Sequence, residues 1–272
     1  MKILVACEES QAVTKELRIL GHEAYSCDII PCSGGHPEWH IQGDVLQLLY
    51  PDALICSLEP DIEDEMFGTF KTMDGVVHEL PPKWDMIIGF PPCTYLSNAG
   101  ACRLYPKAGQ LDLKRYAKGM EARAFFMKIY NADCPHIAVE NPVSSKVFKM
   151  PPHSQEIQPY EFGHPYTKKT RLWLKGLPNL KPTNIVTPVS PYVPSLTSRK
   201  MKDKYGKAKR GEDSINRSKT FQGIAEAMAK QWTEYIEGKS IDQIEGQLSF
   251  SDLLSFDRYI ETYRKEEISC GN

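Results

Sequence analysis

Cys93 follows Pro91 and Pro92 in the stretch Trp84 to Gly100, WDMIIGFPPCTYLSNAG. The short β-branched run Met86-Ile87-Ile88 reads as a buried strand. Two prolines cannot donate ladder hydrogen bonds, so the strand must stop before them. Cys93 is thereby set just past the carboxyl end of a central strand, the edge at which open α/β sheets bind ligands. Ser97, Asn98 and Gly100 keep the following segment loop-like. A cysteine after a strand commonly does no more than pack, but a thiol on a loop pinned by two prolines is also well placed to act as a nucleophile. Glu140 repeats the arrangement: the apolar run HIAV (136–139) leads into Glu140-Asn141-Pro142. A carboxyl group at a sheet edge is partly desolvated, which raises its pKa and makes it a proton donor near neutrality. Asp28 ends a third strand-like run, EAYSCD. It is either a turn residue or a carboxylate able to accept hydrogen bonds from both hydroxyls of a ribose.

The elements that must position these groups can be read in order. Lys2 to Ala6 is a first buried strand. Glu8 to Leu20 carries Ala12, Val13, Leu17 and Leu20 at helical spacing, and Gly21 stops it. With Glu23 to Asp28 this makes a β-α-β unit, the usual start of a nucleotide-binding α/β sheet. Pro51 to Lys83 is acidic, rich in proline and poor in periodicity, and reads as an inserted surface loop. Arg115 to Tyr130 is an amphipathic helix with Tyr116, Met120, Ala124, Phe125 and Met127 on its apolar face. Thr167 to Leu174 ends in a strand. Phe221 to Ile236 is a second clear helix, with Phe221, Ile224, Met228, Trp232 and Tyr235 on one side and Gly238 at its end.

The 272 residues suffice for one large α/β domain with a small appendage, and 41% hydrophobic and 25% charged residues are ordinary for a globular protein. No apolar run is long enough to span a bilayer, and the chain opens directly on a strand-like MKILVA, so no membrane partner and a cytoplasmic location are expected. Eight cysteines without paired Cys-x-x-Cys spacing indicate neither a zinc site nor a disulfide framework, and no metal is expected. The net charge is only −2, which argues against a uniformly basic nucleic-acid binder, yet the charge is segregated. Asp52 to Glu65 has six acids and no base; Arg199 to Lys219 has nine bases and three acids; from Glu237 onward eight acids face four bases. The basic segment, with Lys202, Lys204, Lys207, Lys209 and Arg210, could grip phosphate.

GFPPCTYLSNAG resembles the nucleophile loop of cytosine-5 DNA methyltransferases, a Pro-Pro-Cys followed by Ser-x-Ala-Gly, here Pro91, Pro92, Cys93, Ser97, Ala99 and Gly100. Glu140-Asn141-Pro142 is similar to that family's Glu-Asn-Val element, with Pro142 in place of valine. Thr167, Lys169 and Arg171 stand at the positions of its Gln-x-Arg-x-Arg element, where only the last arginine is unchanged. Val5, Cys7 and Glu9 fall at its Phe-x-Gly-x-Gly turn, so both glycines are absent and Cys7-Glu8-Glu9-Ser10 must shape that wall differently. Gly43-Asp44-Val45 looks like the next family element. The resemblance spans residues 2 to 236 and is that of a short, divergent member of bacterial or phage type.

The resemblance implies a Rossmann-like α/β methyltransferase sheet, mostly parallel with helices on both faces: a catalytic domain over 1–175 with an acidic insertion about 51–83, a reduced target-recognition region over 176–219, a helix returning to the catalytic domain over 220–237, and an acidic extension over 238–272. It implies S-adenosylmethionine as cofactor and DNA as partner. Ala6, Cys7, Glu8, Glu9, Ser10, Asp28, Ile29, Asp44, Val45 and Pro91 would line the cofactor site, with Asp28 on the ribose and Asp44 on the adenine amino group. Glu8 or Glu9 would face the cofactor's own amino group. Cys93, Glu140 and Arg171 would act on the base, Arg171 through a base carbonyl oxygen or a phosphate. Pro92, Ser97, Lys169 and the basic segment would contact substrate. Pyrimidine modification on RNA or a nucleotide, another one-carbon donor, and a DNA-binding protein without turnover are the rival readings. The oligomeric state is left open, with a monomer favoured.

Overall fold

A computed structural model describes residues 1–49, 68–107, 109–191 and 219–238. The stretch 50–67, the basic residues Lys202, Lys204, Lys207, Lys209 and Arg210, and the extension 239–272 lie outside the described residues. The strands are β1 (Lys2–Ala6), β2 (Glu23–Asp28), β3 (His40–Gln42), β4 (Thr69–Lys71), β5 (Val77–Glu79), β6 (Met86–Gly89), β7 (Ile137–Pro142), β8 (Gln155–Ile157), β9 (Tyr166–Thr167), β10 (Thr170–Lys175) and β11 (Ser190–Pro191). The α-helices are α1 (Ala12–Ile19), α2 (Leu46–Leu49), α3 (Ala101–Leu104), α4 (Leu113–Tyr130) and α5 (Gln222–Ile236).

Seven strands form one sheet in the order β3-β2-β1-β6-β7-β10-β8. The first five run parallel; β10 is antiparallel to both β7 and β8. This is an α/β fold of Rossmann-like type. The chain builds outward from β1 to β3, then returns to the other side of β1 with β6 and β7. The switch point between β1 and β6 is where such sheets leave a crevice at their carboxyl edge.

Alternate residues face opposite sides of the sheet. One face presents Leu4, Ala6, Tyr25, Cys27, Ile87, Ile137, Val139 and Trp173 to Phe126 and Ile129 of α4. Trp173 meets Phe126 edge-on, with ring centroids 5.0 Å apart. A side chain at Gly89 would place its Cβ 2.9 Å from Ile129 Cγ2, so only glycine lets α4 lie this close to the strand that feeds Cys93. Ser26 and His40 belong to the other face. They join to each other at 2.8 Å, and Gln11 at the start of α1 donates to Ser26, which places α1 on that side. Gln222 in the first turn of α5 donates to Glu16 of α1 at 2.7 Å.

Four expectations change. The first helix starts at Ala12 rather than Glu8, and Leu20 is exposed, because residues 7–11 form the turn after β1. The helix ending at Tyr130 buries Gly119, Phe126 and Ile129, while Met120 and Ala124 point outward. Within the segment read as an inserted loop, β4 and β5 form an antiparallel hairpin whose Phe70 packs in the core beside Tyr25 and Trp84. β7 extends through Pro142, so Glu140 lies within the strand and not after it.

The chain falls into two units, Met1–Trp232 and Thr233–Asn272, with the boundary inside α5. Of the second unit only 233–238 is described. Within the described residues, no helix is long and apolar enough to cross a membrane.

Candidate active site

The loop carrying Cys93 is shaped by backbone hydrogen bonds. The Cys93 carbonyl accepts from the amides of Leu96 (3.1 Å) and Ser97 (2.8 Å), closing a tight turn. Leu96, fully buried beside Leu104 and Phe148, anchors it. The Asn98 amide donates to the Val143 carbonyl and the Ser145 amide to the Leu96 carbonyl, both at 2.8 Å. Ser97 and Ser144 form a bridge. Asn141, fully buried, donates through Nδ2 to the Pro91 carbonyl at 3.3 Å. The segments after β6 and in late β7 are thus sewn together, with Cys93 half-buried at their edge. Arg115 of α4 adds a clamp from outside: Nη2 donates to the Thr94 carbonyl at 2.9 Å.

Glu140 sits one residue past the last β6–β7 pair, Gly89 with Val139, and so at the same carboxyl edge. In register it faces Leu172, while Pro142 faces Thr170. Thr170 therefore shares its side of the sheet. The Thr170 hydroxyl hydrogen-bonds the Glu140 carboxyl and reaches the Lys168 carbonyl at 3.2 Å. Burial pushes the Glu140 pKa upward, against the opposing pull of the Lys168 charge and the Thr170 hydroxyl. A protonated Glu140 can donate to Thr170, which passes a hydrogen bond on to Lys168.

Arg171 and Lys169 do not join this group. Arg171 pairs in register with Asn141 and so points to the opposite face from Glu140. Its Nε donates to Glu156 Oε2 at 2.8 Å, and Lys169 Nζ lies 3.3 Å from Glu156 Oε1. The geometry gives no support to the catalytic expectation for Arg171 or the substrate expectation for Lys169: both side chains pair with Glu156. The charge felt by Glu140 is that of Lys168, whose ammonium lies 5.7 Å from the centre of the Phe221 ring.

The turn after β1 keeps a left-handed conformation without glycine. Cys7 has φ 60° and Gln11 φ 55°, a backbone that costs an ordinary residue about 1–2 kcal/mol. The amides of Cys7 and Glu8 both donate to the Cys27 carbonyl, at 2.7 and 3.2 Å. The loop after β2 folds over this turn. The Ser33 amide donates to the Glu9 carbonyl at 2.8 Å, and the Ser33 hydroxyl to the Glu9 carboxylate. A Cβ at Gly34 would come within 2.5 Å of Gln11 Cβ and 2.6 Å of the Ser10 carbonyl. Gln11 both accepts from the His36 amide and donates to its carbonyl.

Asp28, at the end of β2, is half-buried and accepts from the Ile30 amide at 3.3 Å. Burial pushes its pKa up, with a smaller push from Glu9. Asp44, exposed after β3, accepts from the Leu46 amide at 3.0 Å. The Cys7 thiol is raised mainly by burial, then by Asp28, Cys27 and Asp44; Cys7, Asp28 and Asp44 stand at or just past the carboxyl ends of the adjacent parallel strands β1, β2 and β3. Ile29 and Ile30, 75% and 50% exposed, offer apolar surface beside it.

The other cofactor expectations shift. Ala6 and Val45 are core residues; the Ala6 carbonyl accepts from the Phe90 amide. Pro91 is buried, its carbonyl taken by Asn141. Glu8 is buried and turned away to hold α1: its carboxyl accepts from the Val13 amide (2.7 Å), the Thr14 amide (3.2 Å) and the Thr14 hydroxyl (2.7 Å). Burial pushes its pKa up to about 7, opposed by those same bonds. It cannot also face a ligand. Removing it strands amide donors at the start of α1, a cost of about 1–3 kcal/mol. Glu8→Ala is therefore expected to lower the melting temperature by several degrees in a thermal scan, and an unchanged midpoint would show that Glu8 does not anchor the helix.

Sequence reasoning missed Thr170, Lys168, Asn141 and Gln11. No protein-family model matches the chain, and no curated protein matches it.

Proposed function

We propose that this chain transfers a methyl group to carbon 5 of cytosine in DNA through a covalent adduct at Cys93. The observation that carries the reading is the joining of Cys93 and Glu140 on hydrogen-bonded segments at the carboxyl edge of adjacent strands. Across the switch point from them lie two carboxylates at the ends of β2 and β3. The resemblance to the methyltransferase nucleophile loop supplies the substrate.

Carbon 5 of cytosine is a weak nucleophile. Addition of the Cys93 thiolate to carbon 6 turns the ring into an enamine, and a proton from Glu140 to ring nitrogen 3 makes that addition easier. Once carbon 5 has gained a methyl group, loss of its proton to water re-forms the 5,6 double bond and expels the Cys93 thiolate, and the proton on ring nitrogen 3 returns to Glu140. The target base must leave the helix, at a cost of a few kcal/mol. Lys168, beside Glu140, is placed to meet a carbonyl oxygen of that base.

S-adenosylmethionine, when bound, supplies an electrophilic methyl group. The residues at the other end of the crevice fit such a molecule. Asp28 offers acceptors to the ribose, Asp44 to an adenine amino group, and exposed Ile29 an apolar face for the ring; the Cys7 turn forms the wall. Two hydrogen bonds to a carboxylate contribute roughly 1.5–3 kcal/mol each. Calorimetric titration with S-adenosylmethionine should therefore show at least a tenfold weaker Kd for Asp28→Ala. Unchanged affinity in both Asp28→Ala and Asp44→Ala would mean that the donor binds elsewhere or is a different molecule.

A further inference from the structure

A groove of about 630 Å³ lies between the Pro92–Tyr95 turn and the outer face of α4. Pro92 and Tyr95 form one wall; Lys118, Glu121, Phe125 and Lys128 form the other. The two walls are fixed to each other. The Arg115 guanidinium lies 5.0 Å and the Lys118 ammonium 5.4 Å from the centre of the Tyr95 ring, and Arg115 also holds the Thr94 carbonyl. The volume falls within the range of small-ligand sites, roughly 300–1,000 Å³.

The chemistry of the lining is specific. α4 carries five bases and one acid. Two of those bases, Lys118 and Lys128, line the groove together with the half-buried ring of Phe125. Cations beside an aromatic face are what a strand of nucleic acid requires: the cation meets a phosphate and the ring stacks on a base, whatever the base. Pro92, which lines the groove, immediately precedes Cys93 in the nucleophile loop.

We propose that this groove is a nucleic-acid subsite that takes a nucleotide flanking the target base on the same strand, its base against Phe125 and its phosphate on Lys118 and Lys128. The identity of the neighbouring target rests on the cytosine reading above; the groove itself does not. This surface is separate in sequence from the basic segment around Lys202, and it brings phosphate contacts directly to the reaction edge.

The test is fluorescence anisotropy with a labelled oligonucleotide carrying a central cytosine, over a range of salt concentrations. Lys118→Ala combined with Lys128→Ala is expected to weaken binding and to flatten the salt dependence by about two counterions. Phe125→Leu, which keeps apolar packing but loses the aromatic face, is expected to weaken binding about fivefold or more at an unchanged salt slope. Wild-type affinity and slope in the double lysine variant would overturn the proposal. So would self-association of the wild type that these substitutions abolish, since the groove would then serve a second copy. Methyl incorporation by the wild type, measured on the same oligonucleotide, separates the two readings. Lost binding in the variants with no methyl product keeps the groove and removes the cytosine reading; methyl product with unaltered binding in the variants does the reverse.

Discussion

Cys93→Ser is expected to abolish methyl transfer while DNA affinity stays within a few-fold of wild type. The loss should be on the order of a thousandfold or more, the scale on which removal of a covalent nucleophile is felt. A hydroxyl is close to a thiol in size but far less acidic, so it offers almost no anion to carbon 6. The loop should survive the change, because Cys93 shapes it through its carbonyl, which accepts from Leu96 and Ser97. Asn141 and Leu96 hold the segment on either side of Cys93. DNA carrying 5-fluorocytosine should trap the wild type as a stable adduct, visible as a shifted band on a denaturing gel. The trap follows from the chemistry: fluorine replaces the proton whose loss would expel the thiol. Substantial methylation by the serine variant would remove Cys93 from the mechanism.

The residues that showed themselves in the sequence are those whose local signals agree with the fold. β1 and β2 have the bounds expected from their apolar runs, and β6 ends before Pro91-Pro92 as two prolines require. What the sequence hid depends on long-range pairing. Arg171 and Thr170 are neighbours in the chain, yet the β7 register puts only Thr170 on the Glu140 side. A one-residue change of face is invisible without the partner strand. Glu8 offered the same difficulty. Its charge, just after β1, suggested a ligand contact, whereas the missing glycines are met by Cys7 in a left-handed turn that frees Glu8 to hold α1. The apolar face of α4 was legible only in part: Tyr116, Phe125 and Met127 pack against the core as expected, but the fully buried positions are Phe126 and Ile129 on the sheet and Gly119 against the Phe148 ring.

Glu140→Gln should reduce turnover by about 10²–10⁴-fold, the usual contribution of a positioned general acid. Glutamine keeps the size and can still hydrogen-bond Thr170, but it has no proton to give to ring nitrogen 3. The pH dependence carries the sign. Burial raises the Glu140 pKa, so the protonated form persists above the ordinary carboxylate range and disappears as pH rises through the raised value. The Glu140-dependent part of the rate must therefore fall on the alkaline side of that value. Lys168 works against this rise, since its positive charge favours the carboxylate. Lys168→Met should move the alkaline limb to higher pH, and Lys168→Arg should leave it near the wild-type position. Arg171→Met should not move it, because that side chain lies on the far face of the sheet, bound to Glu156. Initial rates of methyl transfer across pH at saturating DNA would decide the matter. A limb that stays in place in Lys168→Met but moves in Arg171→Met would reverse the assignment of faces, and a glutamine variant with near-wild-type turnover would take Glu140 out of the proton transfer.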